Sequence, residues 1–169
     1  MLFRSTLTDG SLGRASVPSG ASTGSAEAHE LRDGDPQHYG GLSVMHAVGH
    51  ANGELSQALT GLDALDQSTI DHTMVELDGT PQLARLGANA ILAISLAAAR
   101  AGAVSLNQPF YQRVQTLAGH PPLSLPLPMT NILSGGLHAG RGMDVQDFLA
   151  MPARATSLAE DRKSTRLNS

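Results

Sequence analysis

Residues 88–104, ANAILAISLAAARAGAV, place apolar or small side chains on almost every side of a helix, with Arg100 the one charge inside the run. A helix that is apolar all round has no face to give to water, so it belongs between neighbours, and its many alanines let those neighbours approach closely. The run is interrupted by Arg100 and falls short of the ~20 residues that span a bilayer. The N-terminus, MLFRSTLTDG, has no long apolar segment of the kind that leads a secreted chain. We therefore expect neither a membrane helix nor a signal peptide, and a core organised around this alanine-rich helix.

The core must be built from aliphatic residues. Aromatic residues make up 3% of the 169 positions against 41% hydrophobic overall, which leaves Leu, Ile, Val and Ala to fill it. A chain of this length can bury roughly 70% of the surface its unfolded form exposes, as one domain or as one domain with part of another. Around the helix, two extended runs at Leu2 to Leu7 and Gly13 to Pro18 are joined by Asp9-Gly10, a dipeptide suited to tight hairpin turns. Residues 39–59 space Leu42, Met45, Val48, Leu55 and Leu59 along one helical face. His46 and His50 stand four apart there and, with no further ligands, read as a solvated face rather than a metal site. Leu65, Ile70, Met74 and Leu77 mark a further helix stopped by Asp78-Gly79, and Pro109 begins another that runs to Leu117. Two strands followed by helices make an α+β domain. Gly119-His120-Pro121-Pro122 then looks like a linker into a new unit, where Pro126 and Pro128 impose extended chain.

Charge and cysteine usage remove several functional classes. The formal charge is −4 and no basic patch stands out before the C-terminus, which argues against a nucleic-acid partner. There are no cysteines, hence no disulfides and no thiolate metal sites. The only lysine, Lys163, lies in DRKSTRLNS together with Arg162 and Arg166, an abrupt change of composition. Residues 161–169 are expected to be a non-native tail.

Two stretches are candidates for chemistry. Val17 to Gly24, VPSGASTG, alternates small residues with hydroxyls between glycines. Such a segment can bring Ser and Thr oxygens or backbone amides against an anion or a metal, or can simply be a flexible connection. It lacks the lysine and spacing of a nucleotide-binding P-loop. Asn131 to Phe148, NILSGGLHAGRGMDVQDF, sets a glycine-rich loop carrying His138 between two apolar runs, with Gln146-Asp147 entering the second. A strand, a polar loop and a second strand fit that pattern, whether the loop works as a site or as an ordinary surface turn.

The order of these segments closely resembles enolase, the phosphopyruvate hydratase family. The resemblance is carried by DGSLGRASVPSGASTG (Asp9 to Gly24), HELRDGD (His29 to Asp35), GLDALD (Gly61 to Asp66), ELDGTP (Glu76 to Pro81), LGANAIL (Leu86 to Leu92), PLPMTNILSGGLHAG (Pro126 to Gly140) and VQDFLAMP (Val145 to Pro152). It is collinear and covers nearly all of residues 5–153. It implies an α+β cap domain, an antiparallel β-meander followed by helices, over residues 1–122 with its first strand missing. Residues 123–160 would be the truncated start of an enolase-type (β/α) barrel.

The implied reaction is dehydration of 2-phosphoglycerate to phosphoenolpyruvate, with Mg²⁺ stabilising the enolate, in a cytoplasmic homodimer that binds neither nucleic acid nor membrane. By resemblance, Ser22 holds a Mg²⁺ ion when a lid made of Ser19, Gly20, Ala21, Thr23 and Gly24 closes around it. His138 approaches the substrate near its phosphate, and Gln146 donates a hydrogen bond to a phosphate oxygen. Asp147 is the catalytic residue acting on the leaving hydroxyl, where the family usually carries glutamate, and Ser134 stands where asparagine is usual. Aspartate shortens the carboxylate's reach by one methylene, and displacements near 1 Å can cost ~10²-fold in rate. The family's lysine base and its other essential carboxylates match nothing here, so the chain is expected to be a fragment without activity of its own. The alternatives are a divergent dehydratase on the same scaffold and a cap-like interaction module.

Overall fold

The computed structural model describes residues 2–20, 24–136, 140, 142–153, 157 and 159. The chain divides into two compact units, Met1–Pro121 and Pro122–Ser169.

The first unit opens with an antiparallel hairpin, β1 (Leu2–Thr6) and β2 (Leu12–Ser16), in the register Leu2 opposite Ser16 and Thr6 opposite Leu12. Its turn is closed by the Gly10 amide on the Leu7 carbonyl at 3.0 Å, with Gly10 at φ +85°, a conformation that glycine adopts without steric cost. Asp9 accepts from the Ser11 amide at 2.8 Å, completing the turn chemistry read from Asp9-Gly10.

Helices follow. Residues 39–59 do not form one continuous helix. A single 3₁₀ turn at Tyr39–Gly41 is set apart from α1 (Met45–His50), and a wider turn at Ala51–Leu55 joins α1 to α2 (Ser56–Leu59). Glycines cause both interruptions: Gly40 and Gly41 stand at φ +60° and +86°, and Gly53 leaves helical geometry at ψ −109°. The apolar spacing hid these breaks and marked the buried face only in part: Leu55 is buried, but Leu42 and Met45 are 64% and 66% exposed, and the small Ala47 and Ala51 fill the core beside Leu55. Helix α3 (Gln67–Asp78) is capped at its start by Asp66, whose carboxylate accepts from the Thr69 amide, and is stopped by Gly79 at φ +70°. Helix α5 (Phe110–Leu117) has Pro109 as its N-cap.

Helix α4 (Ala88–Ser105) is the centre of the unit. Its length and composition would suit a membrane, but 61% of it is buried inside the protein. One side packs on the hairpin and the others on α3, α5 and the α1 region. Leu55, Met74 and Leu86 are the largest fully buried side chains, joined by Ile70, Ile91 and Ile94. Alanine is the reason the helix can be enclosed so tightly. A Cβ added at Gly13 of β2 would stand 1.9 Å from the Ala97 carbonyl oxygen, so strand and helix backbones touch where neither carries bulk.

Polar ties fix the loops onto this core. Asn89, 3% exposed near the start of α4, donates to the Leu31 carbonyl at 3.1 Å and accepts from the Leu31 amide at 3.2 Å. The Ala88 amide donates to the His29 carbonyl at 2.8 Å. At the end of α3 the Asp78 carboxylate accepts from the Leu86 amide at 2.7 Å, from the Thr80 amide at 3.0 Å and from the Thr80 hydroxyl. Burial opposes the charge on Asp78, but these donors outweigh it and hold the carboxyl below its usual range.

The second unit contains β3 (Thr130–Ser134) and β4 (Asp147–Ala150), paired antiparallel. Its strands are open to solvent: Ile132 is 63% exposed and Phe148 47%. The register slips between Asn131 and Leu133. Asn131 lies opposite Leu149 and Leu133 opposite Phe148, so Ile132 is an extra residue and forms a β-bulge.

Candidate functional site

Ser19 and Gly20 of the VPSGASTG stretch line a cleft of about 710 Å³ in the first unit, with Gly24, Glu30 and Arg32 among its other walls. That volume is in the range of small-molecule sites. The Ser19 hydroxyl donates to Glu30 Oε2 at 2.9 Å, and Glu30 Oε1 is paired with Arg32 at 2.5 Å. Arg32 also donates to the Leu42 carbonyl at 2.5 Å. The guanidinium is thus committed to protein partners and is a poor candidate for catching an anion. On the far side of the stretch, the Glu27 amide returns to the Gly24 carbonyl at 3.2 Å, and Gln82 donates to the Ser25 carbonyl at 2.8 Å. Ala21, Ser22 and Thr23, the centre of the predicted lid with its metal-binding serine, lie outside the described residues.

The HELRDGD stretch performs a structural task that its sequence does not announce. Asp33 accepts from the Met45 amide at 2.8 Å and the His46 amide at 2.9 Å, capping α1 from twelve residues upstream. The Ser43 hydroxyl, followed by the His46 amide, pulls the Asp33 carboxyl down to about 2. His46 remains largely exposed beside this carboxylate, while His50 faces Glu54 at 3.3 Å. The two histidines therefore have separate carboxylate partners. Among the described residues no three His, Asp or Glu side chains converge as a metal site.

In the second unit the loop between β3 and β4 is closed at its base by two backbone bonds, Gly135 to the Gln146 carbonyl at 2.6 Å and Gly136 to the Met143 carbonyl at 2.9 Å. Both glycines are required there. A Cβ on Gly135 would fall 2.1 Å from the Val145 carbonyl oxygen, and Gly136 sits at φ +56°. His138 lies outside the described residues. Gln146 is exposed at the mouth of the loop. Asp147, the first residue of β4, is partly buried and is held by two neighbours from β3. Asn131 Nδ2 donates to Asp147 Oδ1 at 2.7 Å and to Ser134 Oγ at 2.6 Å, and the Ser134 hydroxyl donates to Asp147 Oδ1 at 3.1 Å. Both named contacts to the carboxylate reach Oδ1.

This arrangement presents an oriented carboxylate at a strand end, with the exposed Gln146 preceding it in the chain, and a carboxylate held in this way is suited to proton transfer. Of the residues singled out in the sequence, the structure brings Ser134 and Asp147 into contact, while Gln146 is exposed at the position before Asp147. The structure adds Asn131, which local spacing did not mark, because residues three apart in a regular strand face opposite ways.

Comparison with known proteins gives the same outline. The sequence profile of the enolase N-terminal domain matches residues 3–114, and that of the enolase C-terminal TIM barrel domain matches residues 122–166. The enolase of Legionella pneumophila subsp. pneumophila is 55% identical over 150 residues, which cover 89% of this chain and 35% of the relative. The chain thus spans about a third of the length of that relative.

Proposed function

This chain belongs to the enolase family, and from that premise we propose that it serves the dehydration of 2-phosphoglycerate to phosphoenolpyruvate, a phosphopyruvate hydratase activity. The observation that carries the proposal is the Asp147 carboxylate, fixed by Asn131 and Ser134 at the strand mouth beside Gln146. In this reading Asp147 works on the leaving 3-hydroxyl and the water it becomes. The Gln146 amide donates to a phosphate oxygen, and His138 approaches the substrate near the same phosphate. Ser19, Gly20, Ala21, Thr23 and Gly24 form a lid that excludes water from the reacting centre.

Mg²⁺ belongs to the proposal through Ser22, whose hydroxyl is a hard oxygen donor of the kind this cation accepts. When bound, the metal would stabilise negative charge on the substrate. The described residues supply no further cluster of donors for it. Abstraction of the proton beside the substrate carboxylate falls to a lysine in the family, and the only lysine here is Lys163 in the C-terminal segment. Residues of this chain therefore account for substrate binding and hydroxyl departure rather than for the first proton transfer. A cytoplasmic homodimer is part of the same proposal.

The test is phosphoenolpyruvate formation from 2-phosphoglycerate with Mg²⁺ added. We expect the 169-residue chain to give no turnover and the protein expressed from the whole reading frame to give metal-dependent turnover. Product from neither preparation would overturn the proposal, and turnover by the 169-residue chain would overturn the division of labour.

A further inference from the structure

We infer that the β-bulge at Ile132 is a positioning device, and that Asn131 and Ser134 are the residues through which it aims Asp147. The inference rests on the reading of Asp147 as the group that acts on the leaving hydroxyl. Along a strand, side chains alternate between faces, so residues 131 and 134 would point to opposite sides of an unbroken β3. The bulge inserts one residue between them and restores the parity. Asn131 then lies opposite Leu149 and Ser134 opposite Asp147, and positions 147 and 149 share a face of β4. Two polar groups from β3 thus reach one carboxylate.

The hydrogen bonds have a direction that matters. Asn131 donates to both the Ser134 hydroxyl and Asp147 Oδ1, which leaves the Ser134 proton to be given to Oδ1. Serine is oriented by asparagine and in turn orients aspartate. With Oδ1 taken twice, Oδ2 is the oxygen turned to the reaction. It hands its proton to the departing hydroxyl, which leaves as water while the electron pair on the adjacent carbanion closes the carbon–carbon double bond. A freely rotating aspartate would present either oxygen over a range of angles, and alignment at this level is worth about 10- to 100-fold in rate.

Two measurements test the inference. In the 169-residue chain, the side-chain amide signals of Asn131 are expected to be shifted and protected from hydrogen exchange, and to return to exposed values in Asp147→Ala and in a variant lacking Ile132. Exposed-amide behaviour in the unaltered chain overturns the geometry whatever the activity. In the protein from the whole reading frame, Asn131→Leu and Ser134→Ala are each expected to lower kcat about 10-fold or more at unchanged KM. Ser134→Thr, which keeps the hydroxyl, restores the rate, and neither loss adds to that of Asp147→Ala. If Asp147→Ala abolishes turnover while the Asn131 and Ser134 variants retain full kcat, the positioning role fails and the reading of Asp147 stands. If Asp147→Ala itself leaves kcat unchanged, that reading fails and the inference falls with it.

Discussion

Asp33 and Asp147 are both carboxylates gripped by donors, but they are used differently. Asp33 satisfies the amides at the start of α1, where the helix offers no capping side chain of its own. Its carboxyl is held at about 2, below the ordinary value of 3.8. A depressed carboxylate contributes stability that is fully present above its unfolded value and is lost as pH falls through the folded one. We expect Asp33→Ala to lower the urea midpoint at pH 7, with the gap to the parent narrowing as pH falls from ~4 towards ~2. A gap of constant size across that range would show that the charge is irrelevant to the cap. Asp66 could be read as a cap from sequence because Thr69 is three residues away. Asp33 could not, because its partners are brought to it by the loop that folds back between them. Gln146 and Asp147 stood out in the local pattern and took their roles from the resemblance, but nothing in that pattern revealed that Asn131 reaches the Asp147 carboxylate.

At the level of elements, the contact between β2 and α4 shows why composition and packing have to be read together. Valine favours strands over glycine, so propensity alone recommends Gly13→Val. The structure argues the reverse, since a side chain there would overlap the backbone of α4 at Ala97 and Ala101. We expect Gly13→Val to destabilise the first unit by at least the ~1–3 kcal/mol typical of overpacking, measured as a lowered urea midpoint. A neutral or stabilising result would mean that the hairpin can lift from the helix at little cost. Helix α3 was legible from the period of its apolar positions, α4 from an apolar run with no polar face and α5 from the proline at its start. The breaks between residues 39 and 59 were not, because they depend on glycine conformations that the apolar spacing does not record. The bulge at Ile132 escaped for a related reason: register is a property of two strands, and one strand read alone does not contain it.

For the whole molecule, the first unit contains its own hairpin, helices and aliphatic core. A chain ending at Pro121 is therefore expected to keep the amide NMR positions of residues 2–120 seen in the parent. Collapse of that spectrum on truncation would show that the core needs the second unit. The sequence by itself determined that residues 88–104 would be an enclosed helix, that Asp9-Gly10 would turn a hairpin, and which family the collinear motifs indicate. Those features are written in periodicity, turn chemistry and local strings, which need no partner to be recognised. Tertiary structure alone decided that Gly13 must be bare, that Asp33 caps a helix twelve residues away, and that Asn131 and Ser134 share a face with Asp147. Each of these depends on distances between atoms far apart along the chain, and such distances exist only once the chain has folded.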